Sequence, residues 1–194
     1  MLYQLAHILR EKLSWVWNII EAINSWLFSL RYGKRLRAFS FLDVPEGYEV
    51  KPLKDVPTDR LVAFFEHQPE EAYTFFKPHG FDKKSINRLQ KNKSFLAYVL
   101  QDTTNEKIVG YCFNRSFFHG VGYRGRMVDI DYRGKGLGTA MNKMLNEVGF
   151  GIGLRLFETV SKDNVASYRS AMSASNVKVV KELPHNEVYL EILS

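Results

Sequence analysis

Three glycines within five residues, placed between a strand-like segment and a helix-like segment, constrain this chain more than any other feature. Gly134, Gly136 and Gly138 follow Val128 and precede an amphipathic stretch that starts at Thr139. Glycine adopts positive φ without steric cost, so successive N–H groups of such a loop can point into one concavity. The following helix adds its unpaired first-turn N–H groups and the positive end of its dipole. The segment therefore predicts an anion site of a size that suits a pyrophosphate.

The spacing of these glycines separates the known types of phosphate-binding loop. A Walker loop requires Lys-Ser/Thr directly after its last glycine, whereas Gly138 is followed by Thr139. A dinucleotide fingerprint requires Gly-x-Gly-x-x-Gly early in a βαβ unit, and this loop reads Gly-x-Gly-x-Gly. The segment does contain Arg-x-x-Gly-x-Gly, formed by Arg133, Gly136 and Gly138, with Val128 five residues before the arginine. This pattern resembles the acetyl-coenzyme A (acetyl-CoA) loop of the GNAT superfamily, the Gcn5-related N-acetyltransferases.

A second segment carries the same resemblance. A buried strand is predicted over 154–160, and the GNAT pattern Val-x-x-x-Asn-x-x-Ala/Ser is then matched by Val160, Asn164 and Ser167. The resemblance implies a GNAT fold of the α/β (α+β) class, with a mixed, mostly antiparallel sheet whose strands 4 and 5 splay to admit the acyl-pantetheine. It implies acetyl-CoA as co-substrate and cofactor contacts from Met127, Val128, Arg133, Gly134, Lys135, Gly136, Leu137, Gly138, Thr139, Asn164 and Ser167.

The sequence departs from the family at one chemically important position. Many members carry a tyrosine seven residues after the asparagine, where it protonates the leaving thiolate. Here that position is Ala171, and the nearby Tyr168 and Tyr132 stand elsewhere in the pattern. The identity of the general acid is therefore left open by the sequence.

Composition and charge narrow the class of protein. Cys112 is the one cysteine, so no internal disulfide can form and a reducing, cytoplasmic compartment is expected. Cys112 lies in an apolar run and is interpreted as a core residue, and no Cys/His cluster has the spacing of metal ligands. The net charge is +6, of which +4 falls within residues 1–40, so a nucleic-acid-binding surface is not expected.

The pattern of apolar residues predicts two parts. Residues 47–194 are expected to form the GNAT domain, with the element order β-α-α-β-β-β-α-β-α-β-β. Residues 1–40 are expected to form a separable helical extension, because apolar residues recur at intervals of three and four. The recurring residues are Leu13, Val16, Ile20, Ile23, Leu27 and Leu30.

The extension can be interpreted in three ways. Glu21 interrupts its apolar stretch, so a membrane-spanning helix is not expected. The segment can pack on its own domain or on a second copy of the chain. With its tryptophans and the basic residues at 31–37, it can lie on anionic lipid at the inner face of the membrane. It can also dock on another protein.

Two aromatic segments are candidates for the acceptor site. Residues 66–81 combine aromatic, histidine and carboxylate side chains, and 117–120 place a histidine beside phenylalanines. An amine acceptor must lose a proton before it attacks a thioester, and a histidine or carboxylate can accept that proton. The candidate catalytic bases are His79, Glu71 and His119.

The predicted activity is acetyl transfer from acetyl-CoA to the amine of a small acceptor, by direct attack in a ternary complex. Residues 73–82, 126–129 and 159–167 are similar to a GNAT subgroup that accompanies enzymes of bacterial capsule and O-antigen synthesis, which implies an amino sugar as acceptor. The alternatives are acetylation of a protein or peptide amine, and a non-catalytic module that binds acyl-CoA.

Overall fold

A computed structural model describes residues 14–194 and places them in a seven-stranded sheet with helices on both faces. The predicted GNAT fold and its element order are confirmed. The helices are α1 (Ser14–Arg37), α2 (Thr58–His67), α3 (Lys83–Lys91), α4 (Leu137–Ile152) and α5 (Val165–Ala174). The strands are β1 (Tyr48–Pro52), β2 (Phe95–Asp102), β3 (Ile108–Phe117), β4 (Val121–Val128), β5 (Arg155–Ser161), β6 (Asn176–Leu183) and β7 (Glu187–Leu193). Three short 3-10 helices cover Leu53–Asp55, Glu70–Tyr73 and Ile130–Tyr132.

The sheet is antiparallel except at one junction near its middle. The strand order is β1-β2-β3-β4-β5-β7-β6, and β4 and β5 are parallel. Their pairing covers only three positions and stops at Tyr123 and Phe157, although β4 continues to Val128 and β5 to Ser161. The two strands therefore separate toward their carboxyl ends, as predicted for strands 4 and 5.

The apolar pattern of each element fits its place against the sheet. Helix α4 turns Met141, Leu145, Val148 and Ile152 toward the sheet at intervals of four, three and four residues. It ends at Gly153, whose φ of 91° is in the left-handed region that closes many helices. Helices α1, α4 and α5 cover one face of the sheet, and α2 and α3 cover the other.

Helix α1 packs closely on the rest of the domain. Phe28 and Tyr32 are 1% and 2% exposed and belong to the same hydrophobic core as α4. The Asn24 amide donates to Ser94 Oγ and to the Ser116 carbonyl, at 2.9 and 3.0 Å. These contacts lie on a helix face different from that of the expected apolar residues, of which Ile20, Ile23 and Leu30 are exposed.

The outward face of α1 is also apolar and is exposed. Large side chains recur on it at intervals of four, four, three and four, and each is at least 50% exposed. They are Trp15, Ile19, Ile23, Trp26 and Leu30. Leu13, which the sequence pattern included in this segment, lies outside the described residues. Within residues 14–194 no helix is both long and apolar enough to cross a bilayer.

Candidate active site

The glycine-rich loop has the backbone geometry of an anion cradle. Gly134 and Gly136 have φ angles of 78° and 76°, and a β-carbon at either position would meet no atom within 4 Å. Gly136 begins α4 without a side-chain cap, and no acidic residue lies in the first turn. The first-turn N–H groups and the positive end of the helix dipole are therefore available to an anion.

This loop opens onto a cavity of about 650 Å³ that lies between the separated ends of β4 and β5. The walls come from the end of β4, the loop, the starts of α4 and α5, the end of β5 and the 3-10 helix Glu70–Tyr73. The cavity thus connects the anion cradle with the gap in the sheet and with the loop that was expected to bind the acceptor.

The predicted cofactor residues converge on this cavity, with one exception. Lys135 does not line it, and its ammonium nitrogen lies 4.3 Å from the centre of the Tyr132 ring. Asn164 has a local structural role as well, since its Oδ1 accepts the Ser167 N–H at 3.2 Å and caps α5. The residues that line the cavity are Met127, Val128, Arg133, Gly134, Gly136, Leu137, Gly138, Thr139, Asn164 and Ser167.

The structure places His79 in the core and not on the cavity. Its Nδ1 lies 2.9 Å from the Gly80 carbonyl oxygen and its Nε2 lies 2.8 Å from the Tyr111 hydroxyl. A carbonyl only accepts, so Nδ1 carries the proton and Nε2 accepts from the hydroxyl. Burial lowers the pKa of His79 to about 4, which leaves the ring neutral at pH 7. His79 is therefore a packed, hydrogen-bonded core residue, and the geometry does not support it as the base.

Because His79 is buried in its neutral form, the free energy of unfolding of the protein is expected to fall on acidification. The pKa of His79 is about 4 in the folded protein and near 6.5 when unfolded, so the unfolded chain gains the proton first. Its contribution to the free energy of unfolding is thus complete above about pH 6.5 and is lost as the pH falls toward 4. Between about pH 7 and pH 4, wild type should lose roughly 3 kcal/mol more than His79→Gln.

Urea denaturation at several pH values measures this difference. His119→Gln, which changes an exposed histidine, is the matched control and should follow the wild type. A gap between wild type and His79→Gln that stays constant with pH would contradict the assignment.

The other two candidate bases lie at different ends of the molecule. His119 is exposed in the β3–β4 turn and packs on Phe117, with ring centres 5.6 Å apart. The length of β4, roughly 23 Å, separates this turn from the glycine-rich loop, so His119 is outside the cavity. Glu71 lines the cavity together with Phe75 and Phe76. Of the three candidates, Glu71 is the one that faces the site.

Asp129 holds the start of the glycine-rich loop in place through hydrogen bonds. Its side chain is fully buried. It accepts from the Gln68 amide at 3.1 Å, from the Lys107 ammonium at 3.2 Å and from the Asp131 N–H at 3.0 Å. Gln68 also accepts the N–H of Ile130 at 3.0 Å. These bonds fix the start of the loop to α2 and β3.

Sequence reasoning missed a buried charged cluster where β4 and β5 separate. Glu158 on β5 accepts from Arg124 Nε at 2.6 Å and from Arg126 Nη1 at 2.7 Å. The side chains of all three are 5% exposed or less, and all three line the cavity. Burial acts to raise the pKa of Glu158, but the two guanidinium groups outweigh it and the pKa is lowered. The signal available in the sequence was the pair Arg124 and Arg126, which stand at alternate positions of the otherwise uncharged strand β4.

The position of the missing tyrosine also lies on this side of the sheet. Ala171 is fully buried in the core beneath α5. One turn earlier in α5, the Ser167 carbonyl accepts from Arg126 Nη2 at 2.9 Å. The helix that carries the tyrosine in many relatives therefore contacts an arginine here.

A sheet divided between two parallel strands, with a glycine-rich anion cradle beside the gap, defines an acyltransferase of the class that the motifs resemble. The family model for GNAT acetyltransferases matches residues 59–171. The chain belongs to the GNAT family, and it is an acetyltransferase with acetyl-CoA as its co-substrate. A search of curated proteins finds no significant match.

Solved structures support the same fold. The GNAT domain of S. lividans PAT is 16% identical with a TM-score of 0.64, over 75% of this chain and 89% of that one. The ribosomal-protein-S5-alanine acetyltransferase of Vibrio fischeri is 14% identical with a TM-score of 0.60, over 79% and 93%. The putative acetyltransferase yncA of Salmonella typhimurium, solved with acetyl-CoA, is 15% identical with a TM-score of 0.56, over 77% and 94%. At these identities the likeness establishes the fold and leaves the acceptor undetermined.

Proposed function

We propose that this acetyltransferase modifies the amine of a small acceptor, and that the acceptor is an amino sugar. The observation that carries the proposal is the part of the cavity wall formed by the 3-10 helix Glu70–Tyr73 and the residues that follow it. Glu71, Phe75 and Phe76 stand there together, and Phe75 is 52% exposed. An exposed aromatic face stacks on a sugar ring, and an adjacent carboxylate binds hydroxyl and amine groups. The similarity of three segments to surface-polysaccharide acetyltransferases points to the same acceptor class.

In this proposal the two halves of the cavity have separate tasks. The N–H groups of Gly134, Gly136 and the first turn of α4 bind the pyrophosphate, and Arg133 adds positive charge. Met127, Val128, Asn164 and Ser167 line the passage for the pantetheine arm. Acetyl-CoA supplies the activated acetyl group.

Attack by the acceptor amine is direct, without an acyl-enzyme. Cys112, the sole cysteine of the chain, is 1% exposed, and burial raises the pKa of its thiol to about 12. A thiol that stays protonated inside the core is not available as a nucleophile. Glu71 is then the group placed to receive the proton of the acceptor amine, directly or through water.

Steady-state release of free CoA thiol on a panel of amino sugars, diamines and peptides tests the acceptor class. Turnover is expected with amino sugars. Turnover confined to peptides would assign the protein to the class of protein acetyltransferases and overturn the proposal, and turnover confined to diamines would overturn it equally.

The role of Glu71 has its own measurement. Glu71→Gln is expected to lower kcat by about 100-fold, a typical effect of removing a general base. Glu70→Gln is the matched control, because Glu70 is the neighbouring carboxylate on the same 3-10 helix but does not line the cavity. Equal turnover in the two variants would exclude Glu71 as the base.

A further inference from the structure

The buried cluster at the gap in the sheet carries an unbalanced positive charge. It contains two guanidinium groups, on Arg124 and Arg126, and one carboxylate, on Glu158. The groups that contact the cluster from α4 and the segment after α5 are neutral, namely the side chains of Asn146 and Ser175. A buried charge without a partner is unfavourable, so such a cluster is suited to an anionic group that enters the cavity.

The hydrogen bonds of the two arginines leave donors for that group. Arg124 Nη2 is buried and has no hydrogen-bond partner among the described residues. Arg126 uses Nη1 for Glu158 and Nη2 for the Ser167 carbonyl, which accounts for two of its five N–H donors. Its Nε lies 3.8 Å from the place that a β-carbon on Gly138 would take, beside the first turn of α4. The guanidinium thus lies between the anion cradle and the gap in the sheet.

We propose that this cluster, through Arg126, stabilises the negative charge that develops on the sulfur of the departing coenzyme A. It thereby takes the place of the general acid that is missing because position 171 is an alanine instead of the tyrosine of many family members. The inference rests on the proposed cofactor site. As the C–N bond forms and the C–S bond breaks, the C–S electron pair passes to sulfur and the amine proton passes to the base. Arg126 then faces a thiolate and need not transfer a proton.

The charges around the cavity agree with this assignment. Besides the cluster, its charged lining residues are Glu71, Arg133, Asp163 and Glu187, and each is exposed or half-exposed to water. Water screens such groups, whereas the cluster side chains are at most 5% exposed and act through a lower effective dielectric. The cluster is therefore expected to dominate the electrostatic environment at the gap in the sheet.

Binding of coenzyme A and its desulfo analogue tests the proposal without an acceptor. If the cluster stabilises the thiolate, the thiol of bound coenzyme A should ionise at least about one pH unit below that of free coenzyme A. From about pH 6 to a pH above the ionisation of the free thiol, the affinity for coenzyme A should then rise roughly tenfold relative to that for desulfo-coenzyme A. Calorimetry at several pH values measures both affinities, and absorbance of the bound thiolate gives its pKa directly.

Two substitutions in the cluster should act in opposite directions. Arg126→Gln leaves one guanidinium group and one carboxylate in the cluster. The rise with pH in affinity for coenzyme A, relative to desulfo-coenzyme A, should then fall below about twofold. Glu158→Gln leaves two guanidinium groups, so the gain should exceed that of the wild type. Arg155→Gln is the matched control, because it removes an arginine that is 67% exposed, pairs with Glu191 and lies outside the cavity.

The outcomes separate this inference from the cofactor assignment. If the wild type binds both ligands with the same pH dependence, the thiolate assignment is wrong while the cofactor site stands. If the affinity of the wild type for coenzyme A rises with pH relative to that for desulfo-coenzyme A, but neither cluster variant changes this rise, the cluster is not its source and the inference fails. Absence of binding by both ligands would overturn the cofactor site and, with it, the role of Arg126. The wild-type comparison is decisive even if a variant does not fold.

Discussion

Gly136→Val is expected to weaken acetyl-CoA binding by at least about 100-fold, equivalent to roughly 2.7 kcal/mol. Gly136 has a φ of 76°, directly precedes α4 and lines the cavity, and no atom lies within 4 Å of the place that its β-carbon would take. A valine there both strains the loop and places two methyl groups where the phosphates should bind. Calorimetry with acetyl-CoA on the wild type and the variant measures the loss.

Gly47→Val separates the effect of backbone strain from the effect of the valine side chain on the phosphate site. Gly47 has a φ of 81° and free space around its α-carbon, but it lies in the turn before β1 and does not line the cavity. Both variants should lose about 1–2 kcal/mol of stability from the left-handed backbone. Only Gly136→Val should lose the cofactor. Unchanged affinity in Gly136→Val would remove the loop from the cofactor site.

Phe28→Ala is expected to lower the free energy of unfolding by about 3 kcal/mol or more. Phe28 is 1% exposed and packs against Tyr32, with ring centres 4.8 Å apart, inside the core shared with α4. Truncation of a buried phenylalanine removes its transfer free energy and leaves a cavity. Trp26→Ala on the same helix, at a position 61% exposed, should change the free energy by no more than about 0.5 kcal/mol.

Chemical denaturation of the two variants decides whether α1 belongs to the domain. Equal, small effects would return α1 to the status of a detachable extension. If the effects differ as expected, removal of residues 1–37 should unfold the domain, because Phe28, Tyr32 and Asn24 leave with it. Loss of coenzyme A binding in such a truncation would then report loss of the fold.

The glycine-rich loop and the order of elements could be predicted because their signals are local. Gly134, Gly136 and Asn164 lie in short motifs whose spacing follows from backbone geometry, and the strands are apolar runs between turns. The divergence of β4 from β5 could be anticipated only through the family resemblance.

The catalytic candidates could not be sorted from sequence, because burial is a tertiary property. His79 stands between a proline and a glycine, and its ring is enclosed by Phe81 together with Phe65 and Phe95 from other parts of the chain. Arg126 and Glu158 lie 32 positions apart, and nothing local shows that they meet. In α1, both the packed face and the exposed face carry large apolar residues, so the sequence did not show which of them packs on the sheet.

The partners of α1 lie far along the chain, which has a consequence for biosynthesis. Asn24 bonds to Ser116, 92 positions later, and the Arg35 guanidinium donates to the Ile152 carbonyl, 117 positions later. At translation rates of about 5–20 residues per second, roughly 6–23 seconds pass between synthesis of the two ends of that last contact. During this interval the inner apolar face of α1, with Phe28 and Tyr32, is without the core that covers it in the folded protein. Nascent chains should therefore depend on chaperone binding at α1 until α4 has emerged from the ribosome.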